Sequence, residues 1–471
     1  MNKDETLKYI GDNWDSWYMK GLCEFIDIPN LSPNFDEEYF TNGQLEKAIE
    51  HIDNYINKLE IQGITKHSFK AENGMPLITY VVEGTEGVNQ NVLMYGHLDK
   101  QPYGEGWDAD KPPNKATIVG DHLYGRGGAD DGYSPFTCMM SVKACQLQGV
   151  KMPRIVLAIE AEEESGSVQL LNLLAQAKDV IKIPDVVLCM DSGAFDYENL
   201  WITSSLRGIT IVDLKVDCGK AGYHSGETGG IVPETFRIIR EMLDKIEQSS
   251  DGKVLIPELQ AAIPAWKQAE AEHMVKQFGR SLCDKYGIVE GGKYCQDDNL
   301  EQQYLDSQWN AFLSVTGADG LPPIQSAGNV VRPTTSIRLS MRLPPAVNHE
   351  DATPALEKIL QENVPYNAKV TLTRVGAGNG WCKKDYEPWL DESMKVASQH
   401  FYEKPAASYG MGGSIPLLSE LEKMYPKSQI VALGLIGPGT NAHGPNEMMN
   451  IPYAKKLTCT LAHIVGDIGQ H

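Results

Sequence analysis

The chain is short of positive charge, has no long apolar run and shows no cysteine pattern. Its 471 residues carry 42 Lys and Arg against 63 Asp and Glu, a net charge of −21. That balance argues against nucleic acid or an anionic membrane surface as a partner. No segment approaches the roughly 20 consecutive apolar residues that span a bilayer. The N-terminal stretch Met1–Leu22 has neither an uninterrupted apolar core nor a small-residue cleavage site, so a secretory leader is not expected. The nine cysteines are dispersed, odd in number and without a CxxC, which points to reduced thiols in a cytoplasm. There is no internal repeat and no low-complexity segment. What remains is an ordinary globular composition, 42% hydrophobic and 22% charged, in a chain too long for a single core.

Periodicity divides the chain. Leu45–Leu59 repeats apolar residues at helical spacing. Strands are expected at 77–83, 91–95, 154–159 and 185–190, the last two as continuous apolar runs buried on both faces. Helices at 134–148 and 168–177 alternate with them, so the fold class is α/β with a mostly parallel sheet. After Trp201 the pattern changes. Segments 209–216, 335–343 and 368–374 alternate apolar and polar, as strands with one wet face do, and helices are expected at 234–246 and 352–361. The α/β pattern then resumes with a helix at 390–402, a strand at 429–435 and a helix from 454 to about 465. The expected organisation is an α/β domain in two parts, 1–205 and 385–471, with a compact α+β domain inserted at 206–384. The polar, helix-leaning stretch 255–320 has no evident role.

The candidate chemistry lies at the strand ends. Asn91-Val-Leu-Met-Tyr95 runs into Gly96-His97-Leu98-Asp99, and Arg154–Ile159 into the acidic run that holds Glu163 and Glu164. The strand at 185–190 runs into Asp191-Ser-Gly, and the last strand leads to a Gly/Pro/Asn-rich loop with His443. In a parallel sheet these ends share one edge, where open α/β sheets bind ligands. A glycine-rich loop, Gly125-Arg-Gly-Gly-Ala-Asp130, opens the helix at Ser134 and can bring a fifth ligand to that edge. Each residue alone has a plainer reading: a structural histidine, a solvated acidic loop, a helix cap at Asp191, a turn residue at His443. The glycine-rich loop is a poor phosphate loop, because it lacks the Lys-Ser/Thr that such loops carry. Taken together, two imidazoles and three carboxylates form a nitrogen–oxygen set suited to zinc or manganese. A paired-metal site usually means hydrolysis.

The order Gly-His97-Leu-Asp99, Gly-Arg-Gly-Gly-Ala-Asp130-Asp131, Glu163-Glu164-Ser-Gly, Asp191-Ser-Gly and Ala-His443-Gly resembles the family of dinuclear-zinc dipeptidases, aminoacylases and glutamate carboxypeptidases. Within it the chain looks most like the cytosolic nonspecific, carnosine-type dipeptidase branch, over almost its whole length. The resemblance implies two divalent ions per subunit. Asp130 would bridge them, His97 and Asp191 would complete one, and Glu164 and His443 the other. Asp99 would orient His97, and Glu163 would act as general base and then general acid. The Asp130–Asp131 bond is expected to be cis. The resemblance further implies that 1–205 and 385–471 form the catalytic domain and 206–384 a lid or dimerisation domain, in a homodimer in which His224 and Asn329 reach the partner's site, His224 as an oxyanion donor. Arg342 and Ser414 would hold the C-terminal carboxylate of a small peptide substrate. Departures from the family pattern, Gly132 for lysine and Ala161 for glycine, remove no ligand. Asp rather than Glu at position 191 accompanies dipeptidase-like members, so a dipeptidase is expected. The alternatives are an N-acyl-amino-acid amidohydrolase, such as a desuccinylase, or an inactive binding protein, which the intact Glu163 argues against.

Overall fold

A computed structural model describes residues 1–413 and 416–471. The chain divides into two compact units. The first comprises Met1–Thr203, Lys383–Ser408 and Glu420–His471, and the second Ser204–Cys382 and Tyr409–Ser419.

The first unit is built on a six-stranded sheet. Its strands, in spatial order, are Ile64–Lys70, Pro76–Val82, Arg154–Glu160, Asn91–His97, Val186–Cys189 and Gln429–Ala432. The first two pairings in that order are antiparallel, and the other three are parallel. The Asn91–His97, Val186–Cys189 and Pro76–Val82 strands are buried along their whole length, which is why they read as continuous apolar runs rather than alternations. The Ile64–Lys70 strand is exposed on the sheet's edge and carries polar residues, so it left no hydrophobic signature.

Helix Ser134–Leu147 is buried almost all round. It packs on the C-terminal helix Ile451–Ile468, where the Ser141 hydroxyl donates to the Thr458 carbonyl at 2.9 Å. This contact ties the last helix of the chain to the helix that the glycine-rich loop opens. All nine cysteines are free. Among the described residues, no helix is long and apolar enough to cross a membrane.

The second unit is an antiparallel sheet of four strands, in the order Phe312–Asp319, Thr334–Leu343, Gly208–Asp217 and Lys369–Gly378. Val212, Leu214 and Val216 alternate with more accessible residues along one strand, and Ile337, Leu339 and Met341 along its neighbour. Their buried faces pack with Ile238 and Met242 of helix Thr235–Leu243 and with Leu356 and Leu360 of helix His349–Gln361. One face is covered and the other open, as the alternating pattern requires.

The structure gives the helix-leaning stretch 255–320 a place in this unit and differs from the sequence-based expectation at Tyr409–Ser419. Stretch 255–320 contributes helices Ala265–Phe278 and Leu300–Gln308 before the Phe312–Asp319 strand. Tyr409–Ser419, expected within the second catalytic part at 385–471, packs instead with the inserted unit. The reason is a set of long-range hydrogen bonds. The fully buried Lys267 ammonium pairs with Glu270 at 2.5 Å, and the same carboxylate accepts from the Gly410 amide at 3.1 Å and the Tyr304 hydroxyl at 2.9 Å. Arg207 donates to the Gly412 carbonyl at 3.1 Å.

Candidate metal centre

The three parallel pairings put His97, Glu160 and the residues after Cys189 at one end of the sheet. His97 is the last residue of its strand and is wholly buried. Gly96 before it leaves room for this: a Cβ there would collide with Ser134 and with the Asp131 carboxylate. That carboxylate accepts the His97 amide at 3.2 Å and so pins the strand end. The Asp130–Asp131 bond is cis.

The ligand atoms fall into two triads, His97–Asp130–Asp191 and Asp130–Glu164–His443, with all atoms of each triad within 4.8 Å of one another. His97 Nε2 is 3.2 Å from Asp130 Oδ1. His443 Nε2 is 3.0 Å from Asp130 Oδ2 and 3.2 Å from Glu164 Oε2. Ligand atoms about 2.1 Å from one ion stand about 3.0–3.4 Å apart, so these separations, which are also those of hydrogen bonds, leave the atoms spaced as a cation needs. The two oxygens of Asp130 face opposite triads. The donor set therefore fits two divalent ions with Asp130 between them.

Electrostatics support this. Burial alone would raise the Asp130 carboxyl, but hydrogen bonds from His443 and His97 outweigh it and hold the group below its usual range. Burial pushes Asp191 up to about 7, and raises Glu163 well above the ordinary carboxylate range, with the Asp191 charge adding to the effect. Hydrogen bonds to Asp130 and Glu164 push His443 up to about 10. Crowded carboxylates that hold protons so tightly are a site short of positive charge, and a divalent cation supplies it.

Asp99 does more than expected. The nearest partner of His97 Nδ1 is the Asp99 backbone carbonyl at 3.1 Å, with the carboxylate at 3.5 Å. Either acceptor keeps the hydrogen on Nδ1 and leaves the Nε2 lone pair for a metal. The Asp99 carboxylate itself accepts the amides of Glu163 and Glu164, both at 3.1 Å. It thus links the first histidine to the loop that carries the general-base candidate and a ligand. Gln101, which the sequence did not single out, donates to Glu164 Oε2 at 2.7 Å.

The remaining expected residues belong to the other unit. His224 is exposed beside Val330 in a two-residue pairing, and its Nδ1 accepts the Gly226 amide at 3.2 Å. The Ser225 amide donates to the Asn329 carbonyl at 2.9 Å, so His224 and Asn329 form one exposed patch. Arg342 is half-buried on the Thr334–Leu343 strand; burial lowers the proton affinity of the Arg207 guanidinium, and the nearby charge of Arg342 lowers it further. Ser414 lies outside the described residues.

A profile of peptidase family M20/M25/M40 matches residues 93–467. The Cys-Gly metallodipeptidase DUG1 of Saccharomyces cerevisiae is 25% identical, with 93% of each chain covered. The human Beta-Ala-His dipeptidase is 25% identical, covering 95% of this chain and 89% of its own. The solved structure of the di-peptidase Dug1p from Saccharomyces cerevisiae superimposes with a TM-score of 0.77 at 21% identity, over 100% of this chain and 99% of that one. At that identity the structural likeness shows the fold.

Proposed function

The chain belongs to peptidase family M20/M25/M40, and from that premise we propose a metal-dependent dipeptidase in which Glu163 moves the proton. The observation that carries this reading is the pair of triads sharing Asp130 at the parallel-strand edge. Two divalent ions held there, zinc or manganese, would polarise the scissile carbonyl and acidify a water molecule. Glu163 takes the proton from that water and delivers it to the leaving nitrogen. Neither a serine nor a cysteine nucleophile is required.

Arg342 and Ser414 would pair with the substrate's terminal carboxylate, which restricts the enzyme to small peptides with a free C-terminus. The exposed patch of His224 and Asn329 supports a homodimer in which each subunit lends an oxyanion donor to the other. Nine free, dispersed thiols support a cytoplasmic location. Both curated relatives are named as dipeptidases, which favours this substrate class over N-acyl amino acids. The test is turnover of Ala-Ala-type dipeptides against N-acetyl and N-succinyl amino acids, with added manganese or zinc. Dipeptide hydrolysis is expected; deacylation without it would overturn the reading in favour of an amidohydrolase.

A further inference from the structure

Two ligands of the centre, Asp130 and His443, sit on loops without regular secondary structure. His443 has φ +64, a left-handed conformation that a non-glycine residue holds only when its surroundings enforce it. Something must fix both loops relative to each other. Four residues before Asp130 stands Arg126, and four after His443 stands Glu447. Each is 1% exposed, and they pair at 2.7 Å across 321 residues of sequence.

The pair does more than neutralise itself. Glu447 Oε1 accepts the amides of Gly127 and Ala129, both at 3.1 Å, and that of Asp130 at 3.4 Å. Gly127 makes this possible with φ +78, which turns successive amides toward one point as in an anion-binding nest. The other arm of the Arg126 guanidinium donates to the carbonyl of Gly444, next to His443, at 2.9 Å. The Gly125 amide closes the circuit on the Glu447 carbonyl at 3.1 Å.

We propose that Arg126 and Glu447 form a positioning latch that sets Asp130 and His443 at the spacing a shared metal centre needs. Glu447 holds the peptide that carries Asp130, and Arg126 holds the peptide after His443. Neither belongs to the two candidate triads. Their charges cancel, so the latch adds rigidity without altering the charge of the centre. Because the Asp130–Glu164–His443 triad is anchored from both loops, it depends on the latch more than the His97–Asp130–Asp191 triad does. This inference rests on the two-ion reading of the centre.

The test uses the full chain, stripped of metal, as wild type, Glu447→Gln and Arg126→Lys. Manganese and zinc binding are titrated, and amide hydrogen exchange and melting temperature are measured on the metal-free proteins. Glu447→Gln keeps the side chain's shape but loses the charge. Arg126→Lys keeps the charge but loses the fork that spans Glu447 and Gly444. Both are expected to bind manganese about 10–100-fold more weakly, with the loss concentrated in one of the two ions. Exchange should quicken at the Gly127, Ala129 and Asp130 amides. If either variant unfolds, the other carries the test, since they act from opposite sides of the same pair. A folded variant with faster exchange and wild-type manganese affinity would overturn the latch alone. A wild type that binds neither manganese nor zinc would overturn the two-ion reading as well.

Discussion

The two units place their charges in contrasting ways. In the first, His97, Asp130 and Asp191 are buried, and one ligand atom from each lies within 4.8 Å of the others. In the second, Arg338 pairs with Asp213 and Arg374 with Glu357 on open surface, each through two hydrogen bonds. Water screens the second kind of charge, so such pairs contribute little to stability or reactivity. Burial prevents screening of the first kind, so proton affinities move and a cation is needed. The buried pair of the second unit, Lys267 with Glu270, differs from the triads in that its two charges cancel, so the contrast is between charge that is compensated or screened and carboxylates that are neither.

The sharpest way to break that contrast is Glu163→Gln. It should lower kcat on dipeptides by about 10²–10⁴-fold while two ions remain bound. Unchanged hydrolysis in a kinetic assay with metal analysis would remove Glu163 from its role. Next is His224→Ala in the exposed unit, expected to lower turnover by about 10²–10³-fold with metal content intact. Mixing His224→Ala with Glu163→Gln subunits should restore part of the activity; no recovery would count against a donor crossing between subunits.

Smaller effects separate the units by pH. The Asp191 carboxyl, pushed up to about 7 when folded, binds its proton more tightly than in the unfolded chain, where its pKa is about 3.9. Its contribution to stability is therefore complete below about pH 4 and is lost as pH rises through about 7. Melting of the metal-free protein should fall from about pH 4 to about pH 7, and Asp191→Asn should flatten that slope. Metal uptake should show the opposite trend, weakening below about pH 7, because an ion must displace the proton. Asp213, held low by Arg338, has the reverse sign: its contribution is present above its unfolded pKa and is lost as pH falls. Arg338→Ala should leave dipeptide turnover and neutral-pH melting nearly unchanged; a large loss in either would erase the distinction between the units.

Much of the first unit was legible because its signals are local. Buried parallel strands are short apolar runs, and the residues just beyond each run supply the side chains at the edge. The exposed Ile64–Lys70 strand was not legible, since an edge strand with polar faces has no hydrophobic period. The double duty of Asp99 and the contact of Gln101 with Glu164 were also hidden, because a carboxylate or amide near a histidine has many possible partners. The attachment of Tyr409–Ser419 to the inserted unit depends on Glu270 and Arg207, residues that lie far away in sequence with no pattern linking them to it.

The sequence by itself determined the α/β class, the interrupted catalytic unit and the chemical types gathered at the sheet edge. These depend on hydrophobic period and on the residues that end each strand, both of which lie within a few neighbouring positions. Only the tertiary structure decided which oxygen of Asp130 faces which triad, that the Asp99 carboxylate accepts the Glu163 and Glu164 amides, and that Arg126 meets Glu447. Those facts are distances between segments up to 321 residues apart. Hydrogen bonds and ligand sets are set by tenths of an ångström across such gaps, and no local pattern of residues carries that information.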